Sequence, residues 1–306
     1  MVRVAVMGQA AFGKAVLDRL RSDGVTVSIV SAPEPSGGKA DPLWEEGEQS
    51  GVPLVPTTAL KTADGLEQWN RAGIDLCVMA FVTVYLPNEV FAVPSLGTIQ
   101  YHPSLLPLHR GPSAMNWALI NGETETGLSV FWPDEGLDTG PVLLSKRCEI
   151  RPDDTVGSLY FDQLFPLGID ALAESVALVA DGNPPRAEQD HAVATYEPLC
   201  KDSHAQIHWH LPARRVYDLI RGCDPQPGAW TYFENEPLHF YGCRLTGEQQ
   251  PGMPGEVLGI DQDGFTVRLN GGVLQVGRVR AGEARKVDAA EWAAQVGLQV
   301  GHRFRT

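Results

Sequence analysis

Val2-Arg3-Val4-Ala5-Val6-Met7-Gly8-Gln9-Ala10-Ala11-Phe12-Gly13 decides the fold. The stretch alternates around Arg3 and then stays apolar to Met7, the pattern of a parallel strand buried on both faces. Glycine follows at once, and Val16, Leu17 and Leu20 then fall at helical spacing before Gly24. Strand, glycine turn and helix in that order open an α/β domain with a doubly wound, mostly parallel, Rossmann-like sheet. The turn lacks the middle glycine of G-x-G-x-x-G, so it reads as architectural rather than as a dinucleotide-binding loop.

Outward from that start, residues 25–31 form a second β-branched strand. Residues 32–50, with Pro33, Pro35, Gly37 and Gly38, read as a loop carrying five acids against the single base Lys39. A short strand at 52–55, a helix at 60–71 and a central strand at 74–81 follow. Val84-Tyr85-Leu86-Pro87 then lies at a strand's carboxyl end, where open α/β sheets bind ligands, and Pro87 suits the start of a short helix. Residues 97–100 are a strand, 103–111 an irregular loop and 114–120 a helix. Strands at 128–132 and 142–150 flank a loop holding Asp138. Asp154-Thr155 caps a helical run over 156–180, kinked near Pro166. Beyond residue 207 a helix at 213–221 precedes short strands separated by glycine turns, as in a small barrel or sandwich. The expected division is a catalytic domain at 1–185, a polar linker at 186–205 and a C-terminal OB-like barrel domain at 206–306.

The 306 residues are 43% hydrophobic and 20% charged, enough for a full core. No apolar run is read as approaching the roughly 20 residues of a membrane span, and the first residues lack the features of a signal peptide. The expectation is a cytoplasmic protein with no membrane partner. Five widely spaced cysteines without a C-x-x-C pair read as reduced thiols. Residues 1–200 hold 12 basic against 26 acidic side chains, a net of −14, and residues 201–306 hold 12 of each. Nucleic-acid binders replace phosphate counterions with local positive charge, so this balance disfavours a nucleic-acid partner.

Two groups carry chemistry. His102 follows the strand ending near Gln100, at a ligand-facing edge, and Asp138 sits between Gly136 and Gly140 in a loop able to expose backbone amides. Asp138-Thr139-Gly140 matches the triplet of aspartic proteases, but those pair two such loops on an all-β fold. His208 and His210 would share one face of a strand, yet no third ligand stands at a recognised spacing, and no metal site is read. Ser113 is outside G-x-S-x-G, so a serine nucleophile is unsupported.

His102-Pro103-Ser104-Leu105-Leu106-Pro107 with Arg110-Gly111, followed by Asp134-Glu135-Gly136-Leu137-Asp138-Thr139-Gly140, resembles the signature of the folate-dependent formyltransferase superfamily. That superfamily includes methionyl-tRNA formyltransferases and sugar-nucleotide formyltransferases. The resemblance runs closest to the N-terminal hydrolase domain of 10-formyltetrahydrofolate dehydrogenases. It also rests on Gly8-Gln9 with Phe12-Gly13, Gly38 to Leu43, Phe131-Trp132, Pro152 to Val156, Leu164-Phe165-Pro166, Ala194-Thr195-Tyr196-Glu197, Ile220-Arg221-Gly222 and Pro227 to Trp230. Beyond residue 230 it is one of texture only.

The resemblance implies that His102 and Asp138 are the catalytic pair. It implies that the backbone of Val84, Tyr85 and Leu86 holds the pterin of 10-formyltetrahydrofolate, with Gly136, Leu137 and Asp138 completing the pocket. Gln100 departs from the pattern: formyltransferases carry Asn there and the hydrolase domain an apolar residue. Gln100 keeps the amide as an oxyanion donor on a longer arm. Folate enters as co-substrate, without a metal or NAD(P). The expected acceptor is water or a small molecule. Amine or amino-sugar N-formylation comes second, and methionyl-tRNA lower, because residues 32–50 are acidic where a tRNA-binding enzyme has a basic insertion. A non-catalytic folate sensor is the alternative outside enzymology.

Overall fold

The structure, a computed structural model, describes residues 2–247 and 250–306. One sheet contains β1 (Arg3–Gly8), β2 (Thr26–Ala32), β3 (Leu54–Pro56), β4 (Leu76–Ala80), β5 (Thr98–His102), β6 (Glu125–Phe131) and β7 (Val142–Glu149), in the order β3-β2-β1-β4-β5-β6-β7. Pairings from β3 across to β5 are parallel, and β6 runs antiparallel to β5. This is the mostly parallel, doubly wound sheet expected. β4, in the middle, is buried at all five positions, and β1 at every position after Arg3. Strands covered on both faces have no polar face to show, hence their unbroken apolar runs. The strand order reverses between β1 and β4, so their carboxyl ends form the switch point at which such sheets open a ligand crevice.

Helices α1 (Ala10–Ser22), α2 (Pro42–Ser50), α3 (Ala63–Arg71), α4 (Asn88–Ala92), α5 (Ala114–Ile120), α6 (Val156–Ser158) and α7 (Phe165–Ala180) accompany these strands. α1 buries Val16, Leu17 and Leu20, the stripe legible in the sequence, and Phe12 with them. Each such side chain contributes about 1.5–3 kcal/mol of hydrophobic stabilisation. Residues 32–50 differ from expectation, since their second half is α2. Asp41 accepts a hydrogen bond from the Leu43 amide at the helix start, and Pro42 fills a position whose N–H has no helical partner. Only Leu43 and Gly47 are buried, so the apolar stripe is too sparse to announce a helix.

The run from α6 to α7 begins with a capping box between Thr155 and Ser158 and passes through a π-helical turn, Leu159–Leu164. The expected kink takes this form: Pro166 offers no N–H, and its ring crowds the carbonyl four residues earlier, which a wider turn relieves. By length and composition alone, Val156–Ala180 is apolar enough to cross a membrane, where the sequence reading found no such run. Of its apolar residues, Leu159, Leu164, Ala171, Leu172, Val176 and Val179 are buried in the fold, and Phe161 is exposed.

The chain forms two compact units. One comprises Met1–Arg110, Gly127–Cys148 and Asp162–Tyr196; the other comprises Gly111–Thr126, Glu149–Phe161 and Glu197–Thr306. In the second, α8 (Ala213–Gly222) packs on α5, with Gly222 leaving no Cβ to strike Ile120. Buried Arg221 donates to Asp218 at 2.7 Å within α8 and to the Asp154 carbonyl at 3.3 Å. Strands β8 (Ala229–Phe233), β9 (Glu236–Tyr241), β10 (Arg244–Thr246), β11 (Val257–Asp261), β12 (Gly264–Leu269), β13 (Gly272–Val276), β14 (Arg278–Ala281) and β15 (Val287–Asp288) precede α9 (Ala289–Val296). They form two four-stranded antiparallel sheets, β10-β13-β12-β11 and β15-β14-β9-β8. Phe240, Phe265, Phe304 and Trp209 cluster in this unit's core.

Candidate active site

β5 reaches two residues beyond the expected end, so His102 is its last residue rather than the first of the loop. Side chains on a strand alternate, which puts Gln100 and His102 on one face and Tyr101 on the other. Tyr101 packs on Phe12 of α1, ring centroids 4.7 Å apart, against Gly168 of α7. A Cβ at Gly168 would come within 2.8 Å of the Tyr101 ring, so this glycine lets β5 seat and turns Gln100 and His102 the other way.

His102 and Asp138 are 5% and 7% exposed, and His102 Nδ1 lies 3.7 Å from Asp138 Oδ2. His102 Nε2 is 2.8 Å from the His109 carbonyl oxygen. A carbonyl only accepts, so Nε2 carries the proton and donates. In the neutral ring Nδ1 then presents a lone pair toward the carboxylate; a proton on Nδ1 converts the contact into an ion pair. The loop between His102 and His109 is held by Ser104, which donates to the Leu108 carbonyl at 2.6 Å, and by Ser129 of β6, which donates to the Ser104 carbonyl at 2.8 Å.

The Asp138 loop is closed by Asp134, whose Oδ1 accepts from the Gly136 amide at 3.0 Å and from the Thr139 hydroxyl. Both flanking glycines are needed for close approach. A Cβ would meet Thr139 Oγ1 at 1.9 Å from Gly136 and the Trp132 carbonyl at 1.8 Å from Gly140. The left-handed residue is Asp138 itself, with φ +55°. Such a conformation is uncommon away from glycine, although aspartate tolerates it better than most residues.

The other expected ligand residues divide by exposure. Leu86 is 2% exposed and joins the core around Trp69 and Val90, Val84 is half-buried, and Tyr85 is 83% exposed. The loop is therefore anchored through Leu86. Gly136 and Leu137 are exposed. At the switch point a cavity of about 60 Å³ is lined by Gly8, Gln9, Thr57, Thr83 and Val84 among others. It includes one expected folate residue, while His102 and Asp138 lie outside its lining.

Three residues around the site were given no role by the sequence: Gln189, which it did not single out, and Arg110 and Thr195, which stood only within stretches of resemblance. Gln189 is buried, and its Nε2 donates to the Asp138 carbonyl at 2.9 Å and the Gly140 carbonyl at 2.7 Å. Its Oε1 accepts from Arg110 Nε at 3.2 Å and Nη2 at 2.6 Å. Arg110, 1% exposed, also donates to the Tyr196 hydroxyl and to His191 Nδ1. Thr195 Oγ1 accepts from the His109 amide at 2.8 Å. Gln189 and Thr195 fall within 186–205, read from sequence as a linker. The signals available were Arg110-Gly111 in the signature and the Ala194-Thr195-Tyr196-Glu197 island of resemblance, neither of which carried a role. His208 and His210, expected on a strand, lie in a turn with ring centroids 5.9 Å apart.

The formyl transferase family model matches residues 2–165, and that of the formyl transferase C-terminal domain matches residues 200–297. The mitochondrial 10-formyltetrahydrofolate dehydrogenase of Mus musculus is 42% identical over 279 residues, covering 89% of this chain. The chain spans only 30% of that protein's length. The methionyl-tRNA formyltransferase of Geobacter sulfurreducens is 30% identical over 309 residues, 99% of this chain and 96% of that one. Among solved structures, HypX from Aquifex aeolicus in complex with tetrahydrofolic acid superimposes with a TM-score of 0.75 at 18% identity, covering 100% of this chain and 50% of that one. At that identity the likeness speaks to the fold alone.

Proposed function

We infer that this chain, which belongs to the formyl transferase family, takes the formyl group from 10-formyltetrahydrofolate and passes it to water or to a small acceptor. The observation that carries the reading is the buried His102–Asp138 pair at the carboxyl end of β5, with Gln100 on the same strand face. A carboxylate accepts a proton from an attacking water or amine. As the new bond to the formyl carbon forms, negative charge grows on the formyl oxygen. Gln100 can donate its amide N–H there, and removing such a donor costs about 3–4 kcal/mol in the barrier. The bond from carbon to N10 then breaks, and N10 leaves with a proton. His102 has Nε2 committed to the His109 carbonyl, so Nδ1 is the atom that relays this proton, within reach of Asp138. With water the products are formate and tetrahydrofolate.

The folate would lie along the Val84–Leu86 backbone, facing the loop of Gly136 and Leu137. Water ranks first as acceptor because the relative at 42% identity is a 10-formyltetrahydrofolate dehydrogenase, and residues 32–50 offer a phosphate-rich acceptor five acids and one base. The full-length match to a methionyl-tRNA formyltransferase keeps formyl transfer to an amine as the second reading. The variants Asp138→Asn and His102→Ala test the pair. Each is expected to lower turnover of 10-formyltetrahydrofolate by at least about 100-fold, the lower bound for losing acid–base catalysis, while tetrahydrofolate still binds. Turnover at the unsubstituted rate in both would remove the pair from the chemistry.

A further inference from the structure

We propose that the segment from Gln189 to Tyr196 is a strap that positions both members of the His102–Asp138 pair, and that Gln189 is a positioning residue for the reaction. The proposal rests on the reading of that pair as catalytic. The strap reaches each member through one backbone group. On one side Gln189 donates both amide hydrogens, to the carbonyls of Asp138 and Gly140. On the other side Thr195 accepts from the amide of His109, whose carbonyl receives the Nε2 proton of His102. Backbone bonds run alongside: the Arg110 amide donates to the Thr195 carbonyl at 3.0 Å, and the Thr195 amide to the Pro107 carbonyl at 3.2 Å.

The orientation of Gln189 is settled by its neighbour. A guanidinium has only donors, so Oε1 faces Arg110 and the amide nitrogen faces the two carbonyls. Both N–H groups and the carbonyl oxygen are then in use. The bonds cross Asp138 where its backbone is left-handed, with φ +55°, and His109 is left-handed too, with φ +54°. A non-glycine residue holds that conformation only when its surroundings enforce it. Bonds to both left-handed loops come from one short segment, so this strap joins Ser104, Ser129 and Asp134 in holding the pair at 3.7 Å and ties the two loops to each other. A misplacement of about 1 Å lowers rate by up to ~100-fold.

The discriminating variant is Gln189→Glu. It keeps the volume and the oxygen facing Arg110 but replaces the two N–H donors by an acceptor, turning attraction to the Asp138 and Gly140 carbonyls into repulsion. The expected result is a kcat about 10- to 100-fold lower, with the KM for 10-formyltetrahydrofolate and the affinity for tetrahydrofolate changed by much less, because Gln189 bonds to the Asp138 and Gly140 carbonyls and to Arg110. Thr195→Val, which removes the acceptor for the His109 amide, is expected to lower kcat in the same way and keeps the test open if Gln189→Glu fails to fold. Thr195→Ser restores the acceptor and should restore the rate. Unchanged kcat in folded Gln189→Glu and Thr195→Val, alongside loss of turnover in Asp138→Asn, overturns the strap and leaves the pair standing. Unchanged turnover in Asp138→Asn itself overturns the underlying reading.

Discussion

Gln100 carries its amide one methylene farther from the backbone than asparagine would, on the same strand face as His102. If it donates to the growing oxyanion, Gln100→Ala lowers kcat by about 10²–10³-fold and leaves folate affinity intact; steady-state kinetics with a tetrahydrofolate titration checks this. Unaltered kcat removes Gln100 from the site. His102 and Asp138 were legible in the sequence because each stands in a recognisable frame, one after a strand and before two prolines, the other between glycines. Asp138's left-handed backbone was hidden behind those glycines, the residue type that takes such a conformation most readily. Gln189 left no signal at all. Its amide donates to main-chain carbonyls about fifty residues earlier, and a carbonyl has no residue type to read; its side-chain partner, Arg110, stands 79 residues away.

At the scale of elements, α1 and the buried strands declared themselves by their apolar period, whereas α2 did not. Its start depends on Asp41, which accepts from the Leu43 amide at 2.9 Å and from the Ala10 amide at 2.9 and 3.0 Å. One carboxylate thus caps α2 and ties down the turn after β1, where Ala10 is left-handed with φ +58°. Asp41→Ala is expected to lose about 1–2 kcal/mol, the upper range for a cap, in urea unfolding; an unchanged midpoint contradicts the double role. In α8, Arg221 and Asp218 are both buried, and Arg214 shares Asp218 Oδ1 at 2.7 Å. Removing one partner strands a buried charge, so Arg221→Ala should cost about 3 kcal/mol, the low end for such a break because Arg214 remains. The helix was legible from its spacing. The ion pair was not, since arginine and aspartate three apart usually stand on a solvated face.

Across the whole molecule, the doubly wound sheet followed from the first dozen residues, and the antiparallel C-terminal domain from the density of turns. The order of the sheet did not, because a reversal between β1 and β4 is fixed by packing rather than by any local pattern. None of the five cysteines is in a disulfide. Burial pushes the Cys77 thiol up to about 12 and raises that of Cys243 well above its ordinary value. Thiolates are the reactive species, so a thiol reagent at pH 7.5 should leave Cys77 and Cys243 unmodified in the native protein and reach half-buried Cys148 first. Mass spectrometry of digested, labelled protein reads this out, and early labelling of Cys77 would contradict the packing described.

Catalysis by the pair is tested most directly by following products from 10-formyltetrahydrofolate incubated with the protein alone and again with an added primary amine. Hydrolysis by the His102–Asp138 pair gives tetrahydrofolate and formate in equal amounts without an added acceptor, at a rate that collapses in Asp138→Asn. Release only when the amine is present would make the protein a transferase rather than a hydrolase, and folate binding without release in either case would contradict catalysis by the His102–Asp138 pair.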